Sequence, residues 1–535
     1  MKIGRFRSFA EEAVAALERG RYFYLTLFSI LFVAMTTLRA LAKPLWYDEL
    51  FTYYMSGLPS LASMWAALKD GADLCPPLLY VATCAAQHVF GDGLVATRLP
   101  AILGFLTMLL CLYRFVAIRC GTAYGFATIL FAALSGAYGY AYEARSYGMV
   151  LGFCGLGLIA WQSAADGRAR RWTLPALFLS LAAALMTHCY AVLILIPFGL
   201  GELVRSWGRK HVDWPVWLAL GGASTAAFSY LPLLTASRFA VLDNVTFRPT
   251  LRVVAECYQM LASPVTVPML ASLVILTIMR ADSGSAELPR AESSGIPAHE
   301  ITLAIGFAFV PLYVYFVAKF VSNVFMTRYG LPAIIGGSIL FAWFLHRYGR
   351  RVRFAGWAIS ALLAAWFVSG FAIWIGNTLQ TRVAAASKPG SPAHSYEIPP
   401  ELVKTELPFV ASNGLFFLEA DHYAPESLVS RLVYLTDKDA ALRYSGSDVF
   451  DSGFPRMQKW FPIRARVESY ASFVRAHRRF LVFGEFDYPL GWLTKKLVDD
   501  GAELRFLGQY HGPYGENLLL EAAMPPVESV LPPKR

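Results

Sequence analysis

The sequence predicts an α-helical polytopic membrane protein of about eleven spans, ending in a small C-terminal α/β domain. Three observations lead there. Of 535 residues, 56% are hydrophobic and only 16% are charged, where a soluble domain carries about 25% charged residues. Apolar runs recur from Tyr22 to Ile375, most of them about long enough to cross ~30 Å of hydrocarbon. Beyond Ile375 the pattern changes to short β-like runs between helix-like stretches, as expected of an α/β domain.

Hydropathy places spans near 22–42, 96–113, 122–141, 146–164, 172–187, 189–204, 214–234, 263–279, 301–318, 329–345 and 354–376. The run 172–204 must divide in a tight turn at His188. The apolar stretch 76–90, "PPLLYVATCAAQHVF", is short and opens on two prolines. Charge bias decides its placement. If it does not cross, one side carries nineteen Lys and Arg residues and the other eight. If it crossed, fourteen of the nineteen would change sides. The positive-inside tendency therefore favours a surface or re-entrant helix at 76–90. Eleven crossings put the N-terminal segment 1–21 in the cytoplasm and the C-terminus outside. The run from Tyr22 lacks a small-residue cleavage pattern, so a secretory signal peptide is not expected.

This topology makes 43–95 a long first extracytoplasmic loop, and loops of that length are often functional. It holds "LWYDELFTYY" and, further on, Asp70 and Asp73. Loop 280–300 and segment 377–400 are polar and rich in Pro, Ser, Gly or Ala, and read as linkers. Residues 401–535 form the expected outer domain, with strands at 407–412, 432–437, 480–485, 502–510 and 517–524. The span-bearing body is 22–376. The net charge of +10 fits basic cytoplasmic loops rather than nucleic-acid binding, for which no motif is present. The seven cysteines, at 75, 84, 111, 120, 154, 189 and 257, show no CxxC spacing. They read as small packing residues, not as a disulfide or zinc framework.

Six stretches then fall in an instructive order: "WYDELFTYY" with "DLCPPLLY", "TRLPAILGFL", "YAYEARSYGMVLG", "LMTHCYAVL" and "FMTRYGLPAIIG". Over about 22–376 the chain resembles the GT-C superfamily of glycosyltransferases, which use polyprenyl-phosphate sugars. Protein O-mannosyltransferases and lipid A aminoarabinose transferases are the similar branches. The resemblance implies a GT-C-like fold and a site at the extracytoplasmic face of a plasma (bacterial inner) membrane. It also implies transfer of one sugar from a polyprenyl-phosphate donor to a lipid, glycan or protein acceptor.

The family's first-loop acid matches Asp48, with Glu49 beside it. Its late-helix Arg-Tyr pair matches Arg328 and Tyr329, and its PPL helix matches 76–90. Relatives often carry a polar or cationic residue before the double proline. Here that residue is Cys75, so a phosphate contact there is missing or supplied from elsewhere.

The chemistry needs a base near an acceptor hydroxyl and cations near the leaving phosphate. Asp48 is the candidate base, and Glu49 a residue that orients it or the acceptor. Arg328 is the leading phosphate ligand, because a guanidinium fork suits phosphate oxygens. Arg145 and Glu143 could pair with each other or help build the donor pocket. Arg98 could anchor the second span or touch substrate. His188 could meet substrate or simply pack, and Asp73 could shape the PPL turn or bind. The outer loops contain no DxD or ExE pattern, so neither metal nor cofactor is expected. Direct displacement would invert the anomeric carbon.

Two other classes fit parts of the pattern. A flippase or polysaccharide exporter would suit the span count, but the two halves show no internal repeat. A scaffold or receptor would work through its outer domain, and Asp48 would then be dispensable.

Overall fold

The computed structural model describes residues 14–233, 247–282, 295–349, 354–386, 399–512 and 515–526, with 12 and 352. Of the expected linkers at 280–300 and 377–400, residues 283–294 and 387–398 lie outside the described residues; residues 377–386 are not linker but continue the helix Ala355–Ala386. The chain divides into two compact units. One comprises 1–43, 75–232 and 249–383, and the other 44–74, 233–248 and 384–535.

The first unit is a helical bundle, and the protein is a multi-pass membrane protein. Among the described residues, seven helices are long and apolar enough to cross a membrane, and the pair Ala298–Ala308 and Val310–Ser322, bent by 52°, makes an eighth if it is one span. Three shorter helices occupy the remaining expected spans: Thr122–Leu134, Arg170–Leu185 and Ala333–Gly349. Chain direction breaks after Leu185, and a 3-10 segment, Cys189–Ile194, follows His188. The PPL helix, Leu78–Phe90, has 13 residues, or about 20 Å at 1.5 Å per residue, too short to cross alone.

Small residues set how closely the bundle packs. A Cβ on Gly104 would lie 2.4 Å from the Gly148 carbonyl oxygen. One on Gly152 would lie 2.6 Å from that of Gly104. Helices Leu94–Cys120 and Tyr147–Ala165 therefore meet backbone to backbone, as small residues permit in apolar surroundings. This contact fixes the height at which Tyr147 and the preceding Arg145 emerge.

The second unit is built on a six-stranded sheet of order β3-β2-β1-β4-β6-β5. Its strands are β1 (Phe409–Ala411), β2 (Leu432–Thr436), β3 (Arg466–Ser469), β4 (Arg479–Gly484), β5 (Glu503–His511) and β6 (Glu516–Ala523). Strands β1 to β4 run parallel, while β6 is antiparallel to both β4 and β5. The five expected strands are present. β3 was not expected: it is a four-residue edge strand without a buried residue, and so carries little hydrophobic signal. Val410, Val433, Phe473, Phe480, Val482 and Leu497 form the core.

Residues 44–74 belong to this unit. They supply α1 (Tyr47–Ser56) and α2 (Leu61–Lys69). Two C-terminal helices matter below: α3 (Gly414–Tyr423) and α4 (Val449–Met457). An Asp-Lys-Asp run at 437–439 also lies in this unit, where Asp437 Oδ1 accepts from the Ala440 N–H at 3.0 Å.

Candidate active site

In the helical unit, the ends of three segments converge. Arg145 precedes the helix at Tyr147, His188 caps the 3-10 segment Cys189–Ile194, and Arg328 and Tyr329 lie in the 3-10 turn Thr327–Gly330. A pocket between them is lined by Tyr147, His188, Tyr190, Arg328, Tyr329 and Pro332, among others. The turn bearing Arg328 is held closely. Cys257 Sγ donates to the Thr327 carbonyl at 3.2 Å, and a Cβ on Gly330 would meet Cys257 Sγ and Pro311 Cγ at 3.1 Å each.

Aromatic rings line the cluster. Tyr190 and Tyr329 stack at 4.5 Å between centroids, and His188 lies 5.5 Å from Tyr147 and 5.3 Å from Tyr329. The Tyr190 hydroxyl is placed by Ser322 Oγ at 2.5 Å and the Val324 carbonyl at 2.7 Å. His188 Nδ1 accepts from the Tyr190 N–H at 3.2 Å, which requires a ring unprotonated at that nitrogen. Loss of water around the ring, then the guanidiniums of Arg145 and Arg328, push the His188 pKa down to about 3. The imidazole is therefore neutral at physiological pH, and two cations lie near it.

Arg145 is buried, and its Nη2 is 4.0 Å from Cys75 Sγ. A guanidinium thus stands at the position before the double proline where the sequence lacks a cation. Glu143 Oε1 accepts from Lys43 Nζ at 2.9 Å. Arg98 is fully buried, and its Nη1 donates to the carbonyls of Ala40 and Lys43 at 2.5 and 2.7 Å. It caps the C-terminal end of helix Arg21–Ala42, where orphan carbonyls need donors.

Asp48, Glu49 and Asp73 belong to the other unit. Asp48 and Glu49 open α1, where acidic residues suit the partial positive charge of a helix N-terminus. Glu49 is fully buried, and its Oε2 accepts from the Trp46 N–H at 3.3 Å. Asp48 is half-buried. Asp73 Oδ1 accepts from the Leu74 N–H at 2.6 Å, a local turn contact.

The structure therefore brings Arg145, His188, Arg328 and Tyr329 together in one unit, and Asp48 and Glu49 on one helix of the other. Tyr190 was not singled out from the sequence. Its signal was modest: an aromatic residue two places after a lone histidine at a span break.

These features define a multi-pass membrane protein with a basic, aromatic pocket at the ends of its helices. A crystal structure of ArnT from Cupriavidus metallidurans bound to undecaprenyl phosphate is similar over 93% of this chain and 98% of its own, at 14% identity and a TM-score of 0.54. The apo form of the same protein covers the same shares, at 13% identity and a TM-score of 0.52. An Archaeoglobus fulgidus oligosaccharyltransferase, tethered with an acceptor peptide, covers 96% of this chain and 75% of its own, at 10% identity and a TM-score of 0.36. No protein-family model and no curated protein sequence matches the chain.

Proposed function

We infer that the protein is a membrane glycosyltransferase. It transfers one sugar from a polyprenyl-phosphate donor to an acceptor (a lipid, glycan or protein) at the extracytoplasmic face. The observation that carries this reading is the meeting of Arg145 and Arg328 around neutral His188, on a fold shared with a protein crystallised with undecaprenyl phosphate. Two guanidiniums among aromatic rings suit a lipid-linked phosphate: the forks bind its oxygens, and the low-dielectric surroundings strengthen the attraction. Arg145 supplies the cation that Cys75 does not.

In this reading Asp48 accepts the proton of the acceptor hydroxyl as its oxygen attacks the anomeric carbon. The bond from that carbon to the phosphate oxygen breaks, and its electron pair leaves with the polyprenyl phosphate. Arg328 and Arg145 stabilise the departing charge. Displacement in one step inverts the anomeric centre. Glu49 shapes the helix that presents Asp48. Asp73, Glu143 and Arg98 serve the surrounding architecture.

Mass spectrometry of envelope lipids and glycans from cells with and without the gene tests the reading. The expected result is a product heavier by one sugar only when the gene is present. A reconstituted protein that moved labelled polyprenyl lipid across vesicles without forming a glycosidic bond would overturn it in favour of transport. Cysteine labelling at position 48 tests the orientation, with access from the outer side expected.

A further inference from the structure

We propose that Glu419 is a positioning residue: its carboxylate, on the C-terminal domain, caps the helix that carries Asp48 and holds that acid in place for transfer. This rests on the reading of Asp48 as the base.

Three successive backbone amides lead into α1, and a side chain takes each of them. The Leu45 N–H donates to the Tyr423 hydroxyl at 2.7 Å, and that hydroxyl donates back to the Leu45 carbonyl at 3.1 Å. The Trp46 N–H donates to Glu49, within the helix's own first turn. The Tyr47 N–H donates to Glu419 Oε1 at 2.8 Å. The first N–H groups of a helix have no partner within it, and an anionic acceptor there also meets the positive end of the helix dipole. Trp46, the residue before α1, makes no side-chain cap of the usual Ser, Thr, Asp or Asn kind. The cap comes instead from 372 residues away in the chain, one residue from Asp48.

Glu419 is well placed to hold a position. It is 2% exposed. It lies on α3, which follows β1, a central strand flanked by β2 and β4. Asn413 Oδ1 caps α3 through the Phe416 N–H at 3.0 Å. Ser412 Oγ and Asn413 Nδ2 both donate to the Glu485 carbonyl at 3.1 Å, tying the exit of β1 to the exit of β4. Where strand order reverses in such a sheet, the carboxyl ends commonly open a ligand crevice. Here side chains fill it. A Cβ on Gly414 would meet the Phe450 ring at 2.4 Å, and the Tyr47 ring lies edge-on to Phe450 at 5.7 Å. The domain uses its switch point to grip α1 rather than a small molecule.

Further contacts restrain α1 along its length. The Tyr54 hydroxyl and His422 Nδ1 are 2.8 Å apart, and Phe461 packs on Phe51 and Tyr54. In α2's wake, Asp70 accepts from Lys459 Nζ and Trp460 Nε1 at 2.8 and 2.9 Å. A catalytic group displaced by about 1 Å can lose a hundredfold in rate, so a cap next to the base has direct leverage.

The test compares full-length Glu419→Ala, Glu419→Gln and Asp48→Asn in a strain lacking the gene, at matched membrane abundance. The envelope product is measured by mass spectrometry. Binding of undecaprenyl phosphate and hydrogen exchange are measured on the purified protein. Glu419→Ala should lower product at least tenfold and speed exchange in the peptide covering 45–56, with undecaprenyl phosphate affinity within twofold of wild type. Glu419→Gln keeps an acceptor oxygen and should retain product within about threefold. Asp48→Asn should make none. If Asp48→Asn is inactive while Glu419→Ala makes product within twofold of wild type, the positioning role is overturned and the base survives. Equal losses in Glu419→Gln and Glu419→Ala overturn the cap. Product, lipid binding and thermal midpoint all falling together in Glu419→Ala also overturn it, since that marks general unfolding. Full product from Asp48→Asn overturns the base, and this inference with it.

Discussion

Both ends of helix Tyr147–Ala165 gather guanidiniums, but in different surroundings. At its N-terminal end, Arg145 and Arg328 lie near a neutral imidazole, with a thiol and phenol rings close by. At its C-terminal end, guanidiniums meet carboxylates. Arg119 Nη2 binds Glu300 at 2.6 Å and Asp166 at 2.8 Å, and Gln162 donates to the same Glu300 at 3.2 Å. Arg205 binds Glu202 at 2.8 Å and Asp213 at 2.5 Å, and Arg170 binds Asp213 at 2.5 Å. Asp213, between two spans, is held down to about 2, first by Arg170 and then by Arg205. Nineteen residues separate these ends, or about 28 Å at 1.5 Å per residue. The second cluster closes on itself and staples helix ends together. The first sets two guanidiniums beside a neutral ring that lines a pocket.

If that contrast is one of function against structure, mutations should separate the two ends. Asp48→Asn carries the largest expected effect: product falls by about 10²- to 10⁴-fold, the usual worth of a general base, with folding unchanged by thermal melting. Next is Glu202→Ala in the closed network. Removing Glu202 leaves Arg205 with Asp213 alone and takes the acceptor from Trp161 Nε1, a loss of up to about 3–5 kcal/mol for a buried pair. The thermal midpoint should drop sharply, while undecaprenyl phosphate affinity per folded molecule is unchanged. Arg328→Ala should do the reverse. Losing a charge-assisted hydrogen bond worth about 1.5–3 kcal/mol weakens that affinity roughly 10- to 150-fold, with little change in midpoint. A large loss of stability in Arg328→Ala, or of lipid binding in Glu202→Ala, would erase the distinction.

The smallest effect comes from a carboxyl held by neutral donors. Asp451, on α4, accepts from the Asp437 N–H at 2.9 Å and from Trp492 Nε1 at 3.2 Å. Burial pushes its pKa from 3.8 up to about 7. Between about pH 4 and 7 the unfolded chain has lost a proton that the folded chain keeps. The stability from this group is therefore full below about pH 4 and is lost as pH rises through 7. From pH 6 to 8 the loss is about 1.4 kcal/mol. Melting of the full-length protein should show this slope, and Asp451→Asn should flatten it.

Much of the fold was legible because it depends on short-range chemistry. Apolar length marked the spans, the double proline and 13-residue run marked the PPL helix, and short apolar runs between polar stretches marked five strands. Arg145 and His188 stood out as polar residues at span ends, where their desolvation needs a reason, and Arg328 and Tyr329 stood out through the family resemblance. Their convergence was not legible, because it depends on how the helices pack. Arg98 shows the difference. Its sequence position allowed an anchor or a ligand, and nothing in that position announces its contacts with the Ala40 and Lys43 carbonyls at the end of helix Arg21–Ala42. Glu419 gave only a faint signal, an acid inside the apolar run "GLFFLEADHY".

Membrane residence, the rough placing of the apolar helices and the acid that opens the first loop follow from the amino-acid order, because hydrophobic length and local charge are written residue by residue. Tertiary structure alone decided that residues 44–74 fold with the C-terminal unit, and that the helix bearing Asp48 is capped by Glu419. An unpaired amide takes whatever acceptor the fold delivers, and no pattern of neighbours records a partner so distant in the chain.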